Sequence, residues 1–132
     1  MKSIFNKGDK KTFERKVRPE DIATFDSSNV HPVYATFAIA RDAEWSSRLF
    51  VLEIKDDDEE GIGNFVHVNH ISPALEGDIV LFESFIDELV DNALNCSFIA
   101  KVNGRVIAEG KTGQKILKKE KIERLLDNLK FK

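Results

Sequence analysis

Several residue types are scarce in this sequence, and each scarcity removes a class of protein. Cysteine occurs once, at Cys96, so no disulfide can close within the chain. A lone cysteine fits a reducing compartment, and a cytoplasmic location is the expectation. Histidine occurs three times, with no cluster of Cys, Asp or Glu at metal-ligand spacing, so no metal is expected. No apolar run approaches the roughly 20 residues that a membrane-spanning helix needs. Met1 to Lys11 is lysine-rich without an apolar stretch, so no signal peptide is expected. The formal net charge of −3 leaves no global basic field, and no nucleic-acid partner is expected.

What remains is a chain of 132 residues, the length of one domain spanning 1–132. A domain of this size buries roughly two-thirds of the surface its unfolded chain exposes. It needs neither a disulfide nor a metal to fold. Residues 1–11 read as a loose polar lead-in, and 12–18 as a first strand stopped before Pro19. Residues 19–32 carry Asp26, Ser27, Ser28, Asn29 and Pro32 and read as a loop or short helical turn. Over 37–54, Phe37, Ala40, Glu44, Ser47, Val51 and Ile54 recur at helical spacing, with Thr36 as the expected N-cap. The acidic run 56–60 reads as a solvated loop. Strands follow at 62–71, 79–89, 93–102 and 105–117, with Asn103-Gly104 as a hairpin turn. Residues 118–130 read as an amphipathic C-terminal helix that docks either on its own domain or on a partner, its own sheet being the commoner seat. The expected fold is α+β: one long helix packed on an antiparallel sheet of about five strands, with an extra helix in 118–132.

Three residues stand out chemically. Glu44 falls on the stripe that should be apolar, among Phe37, Ala40 and Ser47. A carboxylate there must be hydrogen-bonded, solvated in a cleft or protonated, and chemistry commonly uses such acids. The alternative is a structural glutamate at the stripe's edge, reaching water, Arg41 or Arg48. His70 shares a strand face with Val66 and Val68, just before Ser72-Pro73. It is either a general base or a histidine bonded to a carbonyl at the core's edge. His67, three residues earlier, faces the opposite side, so the two cannot share a metal from a straight strand. Thr36 reads as a helix cap rather than a nucleophile or proton carrier, and the same helix start offers free N–H groups to a carbonyl oxygen or an oxyanion.

The segments carrying these residues resemble one family. Val33-Tyr34-Ala35-Thr36, followed by Glu44-Trp45, is similar to the Val-aromatic-Ala-Thr and Glu-Trp elements of the fluoroacetyl-CoA thioesterases. Gly63-Asn64-Phe65-Val66-His67-Val68-Asn69-His70, running on to Pro73 and Gly77-Asp78, resembles that family's Gly-Thr-His-x-x-Val-x-His strand. The separations of 8 from Thr36 to Glu44 and 26 from Glu44 to His70 agree. Asn103-Gly104 and Ile107-Ala108-Glu109-Gly110 also fit its last two strands, so the likeness runs from about Val17 to Leu117.

The resemblance implies a hotdog fold and hydrolysis of an acyl-CoA thioester, with coenzyme A as part of the substrate and no other cofactor. It implies Glu44 as nucleophile or general base, His70 as proton carrier, Thr36 as positioner, and Gly63 as a close backbone approach to substrate. It also implies a homodimer. Two departures stand out. The aromatic lid positions fall near Ser27 and Val30, which argues against fluoroacetate selectivity. Thr112-Gly113-Gln114 replaces a His-Glu-Arg. Two rival readings are a non-catalytic acyl-CoA or small-ligand binding protein and a hotdog hydratase or dehydratase. The second would want a histidine on or beside the helix, and 37–54 has none.

Overall fold

The computed structural model describes residues 1–25 and 28–130. Strand β1 (Lys10–Lys16) leads through a 3-10 turn at Pro19–Asp21 into a hairpin of β2 (Ile22–Phe25) and β3 (Ser28–Tyr34). Helix α1 (Thr36–Ile54) follows. Then come β4 (Glu59–His70), β5 (Ile79–Val90), β6 (Ala93–Val102), β7 (Arg105–Lys118) and helix α2 (Lys119–Leu129). Five strands form one antiparallel sheet in the order β1-β5-β6-β7-β4, and α1 lies along its inner face. The expected α+β architecture of one long helix on a five-stranded sheet is present.

Turn chemistry fixes the meander. Asn103 (φ 49°) and Gly104 (φ 81°) are both left-handed, as a two-residue hairpin joining β6 to β7 requires. Along β6 every second residue is buried, the signature of a sheet with one face in the core. Ala38, Ile39, Tyr34, Phe82, Phe98 and Ile107 meet in one core cluster, and Phe50, Ile54, Ile86, Leu94 and Ile116 belong to a second.

Strand β4 contains one irregularity. Gly63 pairs with Gln114, but Phe65 pairs with the very next residue, Gly113, so Asn64 is an extra residue bulged out of the ladder. Before the bulge, Gly61 and Gly63 look inward; after it, Val66, Val68 and His70 do. Phe65 is turned outward, its ring lying over Gly113.

Several sequence expectations change. The lead-in is tied down: Lys2 N–H donates to the Ile54 carbonyl, Gly8 N–H to that of Ile86, and Phe5 packs edge-on to Phe50 at 5.1 Å. The loop expected over 19–32 is mostly the β2–β3 hairpin. Ser27 lies outside the described residues, and Val30 falls in β3. Glu59 and Glu60 belong to β4, and Glu59 is buried. The C-terminal helix forms, but none of its residues is buried, so it does not dock on its own sheet.

The stripe of α1 also differs. Its buried residues are Ala38, Ile39, Asp42, Ala43, Ser46, Ser47, Phe50, Val51 and Ile54, while Phe37 is exposed and Glu44 half-buried. The acid inside is therefore Asp42. Arg15 grips it through Nε and Nη2, each at 3.1 Å. Arg41 donates to it at 3.1 and 2.9 Å, and the Tyr34 hydroxyl at 2.5 Å. Arg41 also donates to buried Asp21 at 2.8 Å, and Arg18 completes that pair. Burial alone would raise the Asp42 pKa, but hydrogen bonds from Arg41, Arg15 and Tyr34 outweigh it and hold the carboxyl below its ordinary value.

A hydroxyl row ties α1 to the sheet further along. Thr112 donates to Ser47 Oγ at 2.7 Å, and Ser47 and Ser46 lie 2.8 and 3.1 Å from Ser84 Oγ. Cys96 is buried near this row, and burial pushes its thiol up to about 12.

Asp42→Asn should cost about 3 kcal/mol, toward the lower end for a broken buried pair because both arginines reach water. Urea unfolding reads it. The folded pKa of Asp42 is lowered, so its contribution is complete above the unfolded value near 3.9 and is lost as pH falls toward the folded one. Below about pH 4 the urea midpoint of the parent should therefore fall more steeply than that of Asp42→Asn.

Candidate active site

Helix α1 runs antiparallel to β4, and the candidate residues face each other along that seam. Thr36 is the first helical residue, and Ala35 takes the N-cap place with no side-chain cap bond. The expectation of Thr36 as N-cap is therefore corrected. Its hydroxyl lies 2.9 Å from His70 Nδ1 instead. The first intrahelical bond at this end is Ile39 N–H to the Ala35 carbonyl. The N–H groups of Thr36, Phe37 and Ala38 thus have no partner within the helix, and the helix dipole adds partial positive charge there. His70 Nε2 is buried and without a hydrogen-bond partner among the described residues.

Glu44 sits two turns further on, over Gly63. A side chain at Gly63 would overlap the Glu44 carboxylate, so the backbone of β4 approaches this acid more closely than any residue but glycine permits. Neither arginine weighed as a partner binds Glu44. Arg41 serves Asp21 and Asp42; Arg48 donates to Glu60 at 2.6 Å and to the Gly61 carbonyl at 3.1 Å. The carboxylate is half-buried at the seam rather than locked in an ion pair.

The structure thus brings Thr36 to His70 and Glu44 to Gly63, and keeps the two pairs apart. Eight residues of helix separate Thr36 from Glu44, about 12 Å of rise. The Glu44 carboxylate lies against Gly63, on the same seam as the Thr36–His70 pair. The geometry suits a ligand lying along the seam with its carbonyl oxygen near the open helix start.

The sequence reading missed Gln114. This residue is buried opposite Gly63, with Nε2 3.4 Å from the Glu44 carbonyl and Oε1 without a partner among the described residues. Thr112, on Ser47, supports the helix as well, while Gly113 lies under Phe65 on the outer face. A glutamine in step with Thr112 and Ile116 along β7 was the available signal. His67 faces outward as expected, and the described residues hold no cluster of metal-ligating side chains.

Comparison with known proteins agrees with this architecture. Residues 17–120 match the family model "Fluoroacetyl-CoA-specific thioesterase" (FlK). A Thermus thermophilus thioesterase superfamily member is 34% identical, with a TM-score of 0.91 over 95% of this chain and 93% of that one. A hot-dog-like protein from Thermanaerovibrio acidaminovorans is 19% identical, with a TM-score of 0.87 over 94% and 92%. A variant of FlK in complex with fluoroacetate and CoA is 17% identical, with a TM-score of 0.82 over 89% and 99%. No curated protein matches the chain. On the family match across most of its length, this chain belongs to the fluoroacetyl-CoA-specific thioesterase family and, with it, to the hotdog-fold acyl-CoA thioesterases.

Proposed function

We propose that the chain hydrolyses small to medium acyl-CoA thioesters with Glu44, His70 and Thr36 as its chemical groups. The observation that carries this reading is the 2.9 Å contact of Thr36 Oγ1 with His70 Nδ1 at the open start of α1, with Glu44 seated over Gly63 along the same seam. The free N–H groups at the helix start stabilise the oxyanion that forms as the acyl carbonyl is attacked. Glu44 serves the acyl carbon, either directly through an anhydride or by taking a proton from water. Either route yields free acid and coenzyme A. His70, oriented by Thr36, supplies the proton that the departing thiolate needs. Gly63 lets the acyl group pass close to the strand backbone. No cofactor beyond the coenzyme A of the substrate enters.

The working unit in this reading is a homodimer in the cytoplasm. Strand β4 is a sheet edge of 12 residues with Ile62 and Phe65 exposed. A long edge of that kind invites pairing with another chain. A second copy added antiparallel to it would close the open side of the seam.

Glu44→Ala should lose about a hundredfold or more in turnover with the fold intact. A free-thiol assay over a panel of acyl-CoAs measures it, and an undiminished rate would overturn the assignment. His70→Ala should cripple the rate in the same assay; unchanged rate and binding would reduce it to scaffold. Gly63→Ala should displace the Glu44 carboxylate, a flexible group that can swing aside. We expect kcat/KM to fall about 10- to 100-fold while the urea midpoint stays put.

A further inference from the structure

Helix α2 is amphipathic, and none of its residues is buried against the described part of the chain. Ile122, Leu125, Leu126 and Leu129 recur at three and four residues and share one side. Leu125, Leu126 and Leu129 are 48, 55 and 63% exposed. At 3.6 residues per turn, Lys119 and Lys121 border this stripe on its two sides, Glu123 lies beyond Lys119, and Glu120 and Asp127 lie behind it. An apolar stripe edged with lysine calls for an apolar surface carrying acid.

This chain has such a surface, but at the wrong end for its own helix. Beyond the last residue of β4 it exposes Ile71 (50%) and Leu75 (55%), next to the exposed Glu76. Arg105, at the same end, turns back onto Ser72 Oγ and the Pro73 carbonyl, leaving the Glu76 carboxylate open. Helix α2 starts at the opposite end, where Lys119 N–H bonds the Asp58 carbonyl and Lys118 pairs with Glu59. Its 11 residues span about 16 Å, while the length of β4 is roughly 40 Å. The helix cannot reach its own Leu75.

A second copy can supply that surface. In an antiparallel pair related by a two-fold axis, the start of one β4 lies beside the end of the other. We propose that α2 docks on a second copy of this chain, its leucine stripe on Ile71 and Leu75 of that copy and its lysines toward Glu76. The proposal rests on the homodimer reading above, and each copy then clasps the other beside its Thr36–His70 pair.

Cysteine cross-linking tests it, because Cys96 is buried with a thiol pushed up to about 12 and stays silent. In Leu75→Cys/Leu126→Cys, copper phenanthroline should remove two electrons from two thiols and give a covalent dimer on a non-reducing gel. An equal mixture of the two single variants should cross-link as well, and neither single variant alone should. No cross-link in either sample would overturn the proposal. So would cross-linking of Leu126→Cys alone, which would mean that α2 meets α2, or flotation of the parent with phosphatidylserine vesicles. Leu125→Glu/Leu126→Glu should weaken dimerisation in sedimentation velocity at least tenfold; an unchanged constant would also overturn it. Free-thiol release by the parent, assayed separately, reports on the hydrolase reading. A monomeric parent would end the dimer reading and the clasp together, and a dimer without the cross-link would end the clasp alone.

Discussion

A β-strand turns successive residues to opposite faces, and Gly63 and His70 are an odd number of residues apart. In a regular strand one of them would look away from the helix. The extra residue at Asn64 changes the parity once, so the glycine beneath Glu44 and the histidine beside Thr36 share the inner face. The same change turns Phe65 outward onto Gly113 and keeps Val68 packed against the core. Every candidate group on β4 owes its direction to that single bulge.

The helix opposite is held by polar contacts as well as by large side chains. Its buried face includes Ala38, Ala43, Ser46 and Ser47, so it can approach the sheet closely. Arginines from β1, from the turn at Pro19–Asp21 and from α1 itself grip Asp21 and Asp42, and the hydroxyl row meets Ser84 and Thr112 further along. Paired buried charges contribute little net free energy, but they penalise any other rotation of the helix strongly. That rotation is what places Glu44 on the flank above β4, close to the glycine and clear of the arginines.

The architecture was legible because its signals are local and periodic. Alternation along β6, the Asn103-Gly104 turn and helical spacing over 37–54 each specify one element. The phase of α1 was not legible. Small residues populate several sides of it, and Phe37, Trp45 and Leu52 are exposed, so apolar spacing suits more than one rotation. Asp42 escaped notice because its partners Arg15 and Tyr34 lie 27 and 8 residues back in sequence. The bulge left no mark beyond Gly63-Asn64, and the β2–β3 hairpin was hidden by turn-forming residues within its strands. At the site, residue types and spacing pointed to Thr36, Glu44 and His70. The pairing of Thr36 with His70, and the separation of Glu44 from both, depend on how helix and strand cross.

A thioesterase makes a free thiol at every turnover, so its own cysteine is exposed to product. Cys96 lies under the sheet with its sulfur kept protonated at neutral pH. Mixed-disulfide formation with coenzyme A needs a thiolate that can reach the solvent, and this chain offers none. Accumulating product therefore has no covalent handle on the catalyst, even when the surroundings turn oxidising.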